Sequence, residues 1–296
     1  MNMPLVVQKY GGTSVGTLDR IQHVAQRISR IRKTGTHVVI VVSAMAGETD
    51  KLVKMAHQIC DNPERREMDL LLSSGERISS ALLTMALQAL GIPAISMTGR
   101  QIGLQTDSVH TRARIKQIDA KRAQQALKEN NVIVVAGFQG INEKGDVTTL
   151  GRGGSDTSAV ALAFALGASQ CEIYTDVDGI YTTDPRVHPN AARLSTVSHD
   201  EMLELASLGA GVMHSRSIEF AKKFGVPIVV RSSFEDGPGT SIVPSQSSSQ
   251  RTVSGVALAK NEARITVEDV PDKPGASHQL FAELASEGIA VDMIIQ

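Results

Sequence analysis

Residues His37–Ala44 read HVVIVVSA, a near-continuous apolar run rich in valine. Such a run is expected of a strand covered on both faces, as in parallel sheets, rather than of a strand with one wet face. The neighbouring segments extend that reading in both directions. Upstream, PLVVQKY is a second strand, and after it the period changes. Leu18, Ile21, Val24, Ile28 and Ile31 share one face of a helix that ends near Gly35. Downstream, one helix is expected around Asp50–Cys60 and a longer one from about Glu67 to Leu90, closed by Gly91 and Pro93. PAISMT, VIVVAGFQG (Val132–Gly140), CEIYTDV and VPIVVRSS read as further strands, and Ser155–Leu166 as an alanine-rich helix ending at Gly167. Strands alternating with helices imply right-handed crossovers. The expected fold class is α/β, a three-layer αβα sandwich with a mainly parallel central sheet.

Composition bounds the function classes. The 296 residues suit one large domain or two smaller ones, and 42% hydrophobic content supports a sizeable core. Thirty basic against 31 acidic residues, a net charge of −1, gives no support to nucleic-acid or membrane-surface binding. Two distant cysteines, Cys60 and Cys171, make a disulfide framework unlikely and fit a reducing compartment. No apolar run approaches the ~20 residues of a membrane span, and the first apolar run leads straight into Lys9 without a secretory leader. A cytoplasmic globular protein is expected.

The composition changes near Ser245. A first domain is expected over 1–244, a serine- and glutamine-rich linker over 245–260 and a second unit over 261–296. The second unit reads as strand, Pro-Gly loop, helix and strand. About 35 residues with one helix is small for a self-sufficient core, so completion by further residues or by another chain is expected.

Five segments could carry chemistry. In VQKYGGTSVG, Gly11 and Gly12 allow close backbone approach to an anion, and Thr13 and Ser14 can donate hydrogen bonds. A helix start near Thr17 offers its positive end, and Lys9 can neutralise charge. A tight strand–helix turn explains these residues about as well. TLGRGGSDTSAVALA sets Arg152 among Gly151, Gly153 and Gly154, ahead of Ser155 and Asp156. A capped helix explains Ser155, but not an arginine among glycines; a fork of donors there suits a carboxylate or phosphate. In SSGERISSALL, Glu76 and Arg77 read more simply as a solvated ion pair on a helix. YTDVDGIYTTDPR is equally a turn region or a nucleotide contact. Ser43 falls at the C-terminal end of a buried strand, where open parallel sheets bind ligands, and Thr49 precedes a helix it could cap.

Other chemistries are set aside. There is no Walker A spacing, no protein-kinase H-R-D or D-F-G, no Gly-x-Ser-x-Gly elbow and no histidine spacing for a metal. GRGGSD has Asp156 where a dinucleotide fingerprint needs its last glycine.

VQKYGGTSVG, SGERIS, GFQG, TTLGRGGSDTSAVALA and YTDVDGIYTTDPR, in this order, resemble the aspartate kinases of the amino-acid kinase superfamily. The resemblance spans essentially the whole chain. The segment from Arg264, with DKPG before its helix, resembles the opening of that family's ferredoxin-like ACT regulatory region. Family members usually hold two such units, and here only part of one is present. The resemblance implies transfer of the γ-phosphoryl of ATP to the side-chain carboxylate of L-aspartate, giving 4-phospho-L-aspartate, the first step toward lysine, threonine and methionine. A carboxylate is already ionised at neutral pH, so no general base is needed, and catalysis becomes positioning and charge neutralisation.

The resemblance implies catalytic roles for Lys9, Arg152 and Asp156. Arg152 would hold the substrate α-carboxylate, while Glu76 and Asp156 would bind its ammonium. Ser43, Thr49, Gly153, Gly154 and Ser155 would complete the substrate site. Lys9, Tyr10, Gly11, Gly12, Thr175, Asp176, Tyr181, Thr182, Asp184 and Arg186 would contact the nucleotide. Mg2+ would be carried by ATP phosphates and water, without a dedicated ligand cluster. Feedback by lysine or threonine, and a homodimer or higher oligomer, are implied for a complete regulatory region. The alternatives are a related kinase acting on glutamate, acetylglutamate, carbamate or UMP, and a non-catalytic amino-acid sensor.

Overall fold

The computed structural model describes residues 4–244, 253–258, 263–271, 273–286, 291 and 294–295. The chain divides into two compact units, Met1–Leu258 and Ala259–Gln296. Along the first, the order is β1 (Leu5–Tyr10), α1 (Leu18–Lys33), β2 (His37–Val42), α2 (Glu48–Ile59) and α3 (Arg65–Ala89). Then come β3 (Ala94–Met97), β4 (Leu104–Thr106), β5 (Ile115–Ile118), α4 (Lys121–Lys128), β6 (Val132–Ala136), β7 (Gln139–Ile141) and β8 (Val147–Thr149). The unit continues with α5 (Gly154–Leu166), β9 (Gln170–Thr175), β10 (Thr196–Ser198), α6 (His199–Ser207), α7 (Ser215–Phe224), β11 (Ile228–Ser232) and β12 (Thr240–Val243).

Eight strands form the main sheet in the order β10-β12-β11-β9-β1-β2-β6-β3. Every neighbouring pair is parallel except β11 with β12. The valine run of β2 serves both faces of this sheet. Val38, Ile40 and Val42 join the core against α1 and α3, and Val39 and Val41 join the core against α5. Side chains alternate along a strand, so each residue enters a different core, and full burial of each valine contributes about 1.5–3 kcal/mol. Helices therefore cover both faces, as the apolar run requires.

A second sheet, β5-β4-β7-β8, was not legible as such. The apolar run Val132–Gly140 is not one strand but two, in different sheets. The chain turns at Gly137, where a Cβ would stand 2.8 Å from both Ser155 Oγ and Val41 Cγ1. It then passes through Phe138 in the left-handed region, φ 67°. That turn sends β7 out of the main sheet.

In the second unit, α8 (Ala276–Ser286) occupies the expected helical position. Residues 263–268 form no strand; a lone strand leaves its backbone groups without a ladder partner. The expected linker over 245–260 and the last expected strand lie largely outside the described residues.

Candidate active site

The main sheet places the C-terminal ends of β1 and β2 side by side, with Lys9 paired to Val41 and Tyr10 to Val42. The two residues point to opposite faces. The Lys9 ammonium meets α5 and pairs with Asp156, Nζ to Oδ1 2.7 Å, both side chains largely buried. Tyr10 lies in the opposite core, fully buried and stacked on Tyr174 at 4.7 Å between ring centroids. Its ring is thus turned away from the cleft, so a contact of Tyr10 with the nucleotide would run through its backbone. After β1, Gly11 N–H donates to Tyr174 O (3.2 Å) and Ala46 N–H donates to Gly12 O (3.1 Å). A Cβ on Gly12 would stand 2.8 Å from Ala44 O, so only glycine permits that approach.

A cleft of about 840 Å³ opens at this edge. Lys9, Gly12, Ser43, Thr49, Glu76, Arg152, Gly153, Gly154, Ser155 and Asp156 all line it, although they come from four separate stretches of chain. Two helix starts face it without side-chain caps. The cap of α2 is Gly47 (φ 80°) and that of α5 is Gly153 (φ 67°). Ser155 is therefore in the first turn of α5 and is not its cap. Position 153 must be glycine, because a Cβ there would approach His214 Cβ to 2.2 Å. Uncapped N–H groups at a helix start favour anions. By contrast, Thr17 caps α1 through a bond from Arg20 N–H (3.3 Å). The helix starts that line the cleft without a side-chain cap are thus those of α2 and α5, not the start expected near Thr17.

Glu76 sits on α3 where that helix presses on the end of β2. A Cβ on neighbouring Gly75 would stand 2.7 Å from Ala44 Cβ. One carboxylate oxygen accepts from Ala44 N–H at 3.1 Å, while Oε2 is buried without a partner. Burial raises this carboxyl from 4.5 to about 7, partly offset by the Ala44 bond. An isolated buried carboxylate is costly unless a cation meets it, and Glu76 is one of the groups lining the cleft. Arg77 instead bonds to Gln139 and Ser73 on its own side of the helix, so SGERIS is not a solvated ion pair.

The other expected nucleotide contacts do not line this cleft. Thr175 Oγ1 donates to Asp176 (3.0 Å), and Tyr181 OH donates to Asp178 (2.8 Å). Arg186 folds back on Asp184 through two bonds, and Thr182 takes part in turn hydrogen bonds with Ala192. They form a separate stretch that begins at the last residue of β9, joined to the glycine loop by the Gly11–Tyr174 bond. The structure also brings in cleft residues that no motif flagged, namely Thr111, Arg112, His214 and Arg216. His214 caps α7, accepting from Arg216 N–H at 3.3 Å.

A doubly covered, mainly parallel sheet with a glycine-lined cleft at its strand ends, and with two helix starts facing that cleft, is the setting of a phosphate-handling α/β enzyme. The amino acid kinase family model matches residues 4–232. The chain is 52% identical over 296 residues to the aspartate kinase of Stutzerimonas stutzeri, covering 99% of itself and 72% of that protein. It is 51% identical over 297 residues to the aspartokinase of Pseudomonas aeruginosa, with the same coverage. Among solved structures, an aspartate kinase from Synechocystis superposes with a TM-score of 0.74 at 48% identity, covering 99% of this chain and 50% of that one. Aspartokinase III of E. coli in complex with aspartate and ADP gives 0.79 at 27% identity, covering 99% and 76%. The chain belongs to the amino acid kinase family and, within it, to the aspartate kinases. The function expected from the sequence, ATP-dependent phosphorylation of aspartate, is the function of that group.

Proposed function

We propose that this cleft transfers the γ-phosphoryl of ATP to the side-chain carboxylate of L-aspartate, forming 4-phospho-L-aspartate, and does so by positioning and charge neutralisation. The observation that carries the reading is the convergence of Lys9, Glu76, Arg152 and Asp156 on one cleft. The acceptor carboxylate and the γ-phosphate are both anions, so the barrier to bringing them together is electrostatic. Lys9 stands between them, held by Asp156 at 2.7 Å. Gly11 and Gly12 present backbone to phosphate oxygens. Arg152, which has no side-chain hydrogen bond or ion pair among the described residues, takes the α-carboxylate. Glu76 Oε2 takes the ammonium, with Asp156 beside it. Ser43, Thr49, Gly153, Gly154 and Ser155 border the acceptor. Thr175, Asp176, Tyr181, Thr182, Asp184 and Arg186 border the nucleotide after β9.

Mg2+ belongs to this reading as part of the nucleotide. The cleft's two lining carboxylates, Glu76 and Asp156, are each committed to a cation of the chain or the substrate. Phosphate oxygens and water are therefore its fitting ligands, and the ion supplies further charge neutralisation when bound. The division into a catalytic region over 1–244, a linker over 245–260 and the opening of an ACT-type unit over 261–296 is likewise proposed. It is supported by the extent of the family match and by α8. E. coli aspartokinase III has been solved with lysine and aspartate, which supports a lysine effector here; a threonine effector and self-association through a complete regulatory region are proposed on the resemblance alone. A cytoplasmic setting fits two free cysteines and the absence, among the described residues, of a helix able to cross a membrane.

The test is ADP release with magnesium-ATP, offering L-aspartate, L-glutamate, N-acetylglutamate and UMP in turn, with hydroxylamine to trap an acyl phosphate. Turnover and trapping with aspartate support the reading; turnover with UMP alone, or nucleotide binding with no turnover for any acceptor, overturns it.

A further inference from the structure

The segment between β4 and β5, residues 107–114, is fixed far more firmly than an ordinary surface loop. Asp69, on α3 and fully buried, gathers three of its neighbours. Its carboxylate accepts from Thr111 N–H at 3.1 Å, pairs with His110 Nδ1 at 2.6 Å and accepts from Thr149 Oγ1. Asp107 closes the same segment from within, accepting from Val109 N–H (3.2 Å) and Arg114 N–H (3.1 Å). Ala113 N–H donates to Thr149 O at 2.9 Å, and Arg216 donates to Ala113 O (3.1 Å) and Leu150 O (2.6 Å). Thr111 holds a left-handed backbone, φ 67°, which a β-branched residue adopts only where its surroundings enforce it.

The bonds to Val109, His110, Thr111, Ala113 and Arg114 fall on the residues either side of Arg112, and those to Thr149 and Leu150 fix the neighbouring strand end against them. Arg112 itself is exposed and lines the cleft with Arg152. Gly151 separates the two arginines locally, and a Cβ on it would stand 3.9 Å from Arg112 Cα and Cγ. Neither arginine has a side-chain hydrogen bond or ion pair among the described residues. Arg216, by contrast, is occupied by carbonyl oxygens. A buried carboxylate, a strained threonine and a second arginine thus all serve to present one free guanidinium at the acceptor end of the cleft.

We propose that Arg112 is a second cationic contact for the carboxylate of the amino-acid acceptor, beside Arg152, and that Asp69 is the positioning residue that sets it there. This rests on the reading of the cleft given above. Arg112 lies next to the Gly151–Gly154 loop rather than beside Lys9, so its contact is with the acceptor and not with the transferring phosphoryl group. Its effect falls on acceptor binding and leaves nucleotide affinity alone.

Steady-state kinetics on the full chain test this. Arg112→Ala is expected to raise the aspartate KM at least fivefold with the ATP KM within twofold of wild type. Arg112→Lys recovers most of the loss and Arg112→Gln does not. Asp69→Asn is expected to shift the aspartate KM in the same direction, and the Asp69→Asn/Arg112→Ala double variant to be no worse than Arg112→Ala alone. An aspartate KM within twofold of wild type in Arg112→Ala, or equal movement of both KM values, overturns the role of Arg112. Full additivity in the double variant overturns the positioning role of Asp69. Should Asp69→Asn fold poorly, the exposed Arg112 variants still decide the first point. If wild type itself turns over no aspartate, the reading of the cleft falls; if wild type is active and Arg112→Ala matches it, only this inference falls.

Discussion

On the proposed reading of the cleft, Glu76 makes the acceptor site pH-sensitive, in a direction set by its burial. Its carboxyl titrates at about 7 rather than 4.5 because the side chain is buried, with one oxygen on Ala44 N–H and the other unpartnered. At ~1.4 kcal/mol per pKa unit, that elevation corresponds to a burial cost of about 3 kcal/mol for the ionised form. Between pH 4.5 and 7 the folded state holds a proton that the unfolded chain has lost, so stability falls as pH rises through this window and the cost is complete above it. Glu76→Gln removes the titration. In urea unfolding the variant should therefore exceed wild type by up to about 3 kcal/mol at pH 8, with most of that gain gone by pH 5. The functional profile runs the other way. Ammonium binding needs the ionised carboxylate, so kcat/KM for aspartate should rise toward alkaline pH with a midpoint near 7 in wild type. Glu76→Gln should raise the aspartate KM and flatten the profile, while the ATP KM stays constant. A stability difference between Glu76→Gln and wild type that is the same at pH 5 and pH 8, or a wild-type kcat/KM that is flat from pH 6 to 8, would refute the reasoning.

Three further substitutions probe separate parts of the site. Arg152→Ala should raise the aspartate KM and lower kcat/KM at least tenfold, a cost of ~1.4 kcal/mol or more; wild-type-like aspartate kinetics would count against the α-carboxylate role. Lys9→Ala should mainly lower kcat, since its charge matters most as the two anions meet; a change confined to ATP affinity in initial-rate assays would contradict that. Gly75→Ala should destabilise the fold by about 1–3 kcal/mol in chemical denaturation, because its Cβ would press on Ala44 Cβ at 2.7 Å. The same variant should weaken aspartate binding by displacing Glu76, and an unchanged midpoint would show that α3 can retreat.

The parallel sheet was legible because local signals and tertiary burial agree there. The run HVVIVVSA is apolar on both faces and is buried on both. The direction of the Tyr10 side chain follows from the strand pattern alone. Adjacent strand residues point to opposite faces, so a Lys9 directed at the cleft sends Tyr10 into the other core. The small second sheet escaped because Phe138, an ordinary aromatic residue, takes the left-handed turn that glycine or asparagine normally signals. Asp69 escaped for a different reason. Within REMDLLLSSGER it reads as one more polar residue, and its partners His110 and Thr149 stand 41 and 80 positions away. Motifs report what a short backbone stretch can do; a carboxylate that acts by tying distant segments together leaves no such trace.

The charge pattern explains how a cleft for two anions can contain two carboxylates without defeating itself. Asp156 is paired with Lys9, so it holds the ammonium in place at little cost to the field. Glu76 is different, because its free oxygen is buried and its carboxyl is raised to about 7. With the cleft empty, a large share of Glu76 carries a proton near neutral pH, and Lys9, Arg112 and Arg152 dominate the potential that draws in nucleotide and acceptor. An amino-acid acceptor brings its own ammonium, which favours the ionised carboxylate and satisfies the stranded oxygen. An acetylated amine or a nucleotide brings no such cation and leaves Glu76 either protonated or buried as an unpaired charge, which is disfavoured. Glutamate satisfies Glu76 as well as aspartate does, and differs by one methylene, a difference of only about 1–3 kcal/mol in a shaped pocket. On the proposed reading of the cleft, selection against non-amino acids therefore resides in Glu76, and selection between the two acidic amino acids in the span between the arginine clamp and Lys9.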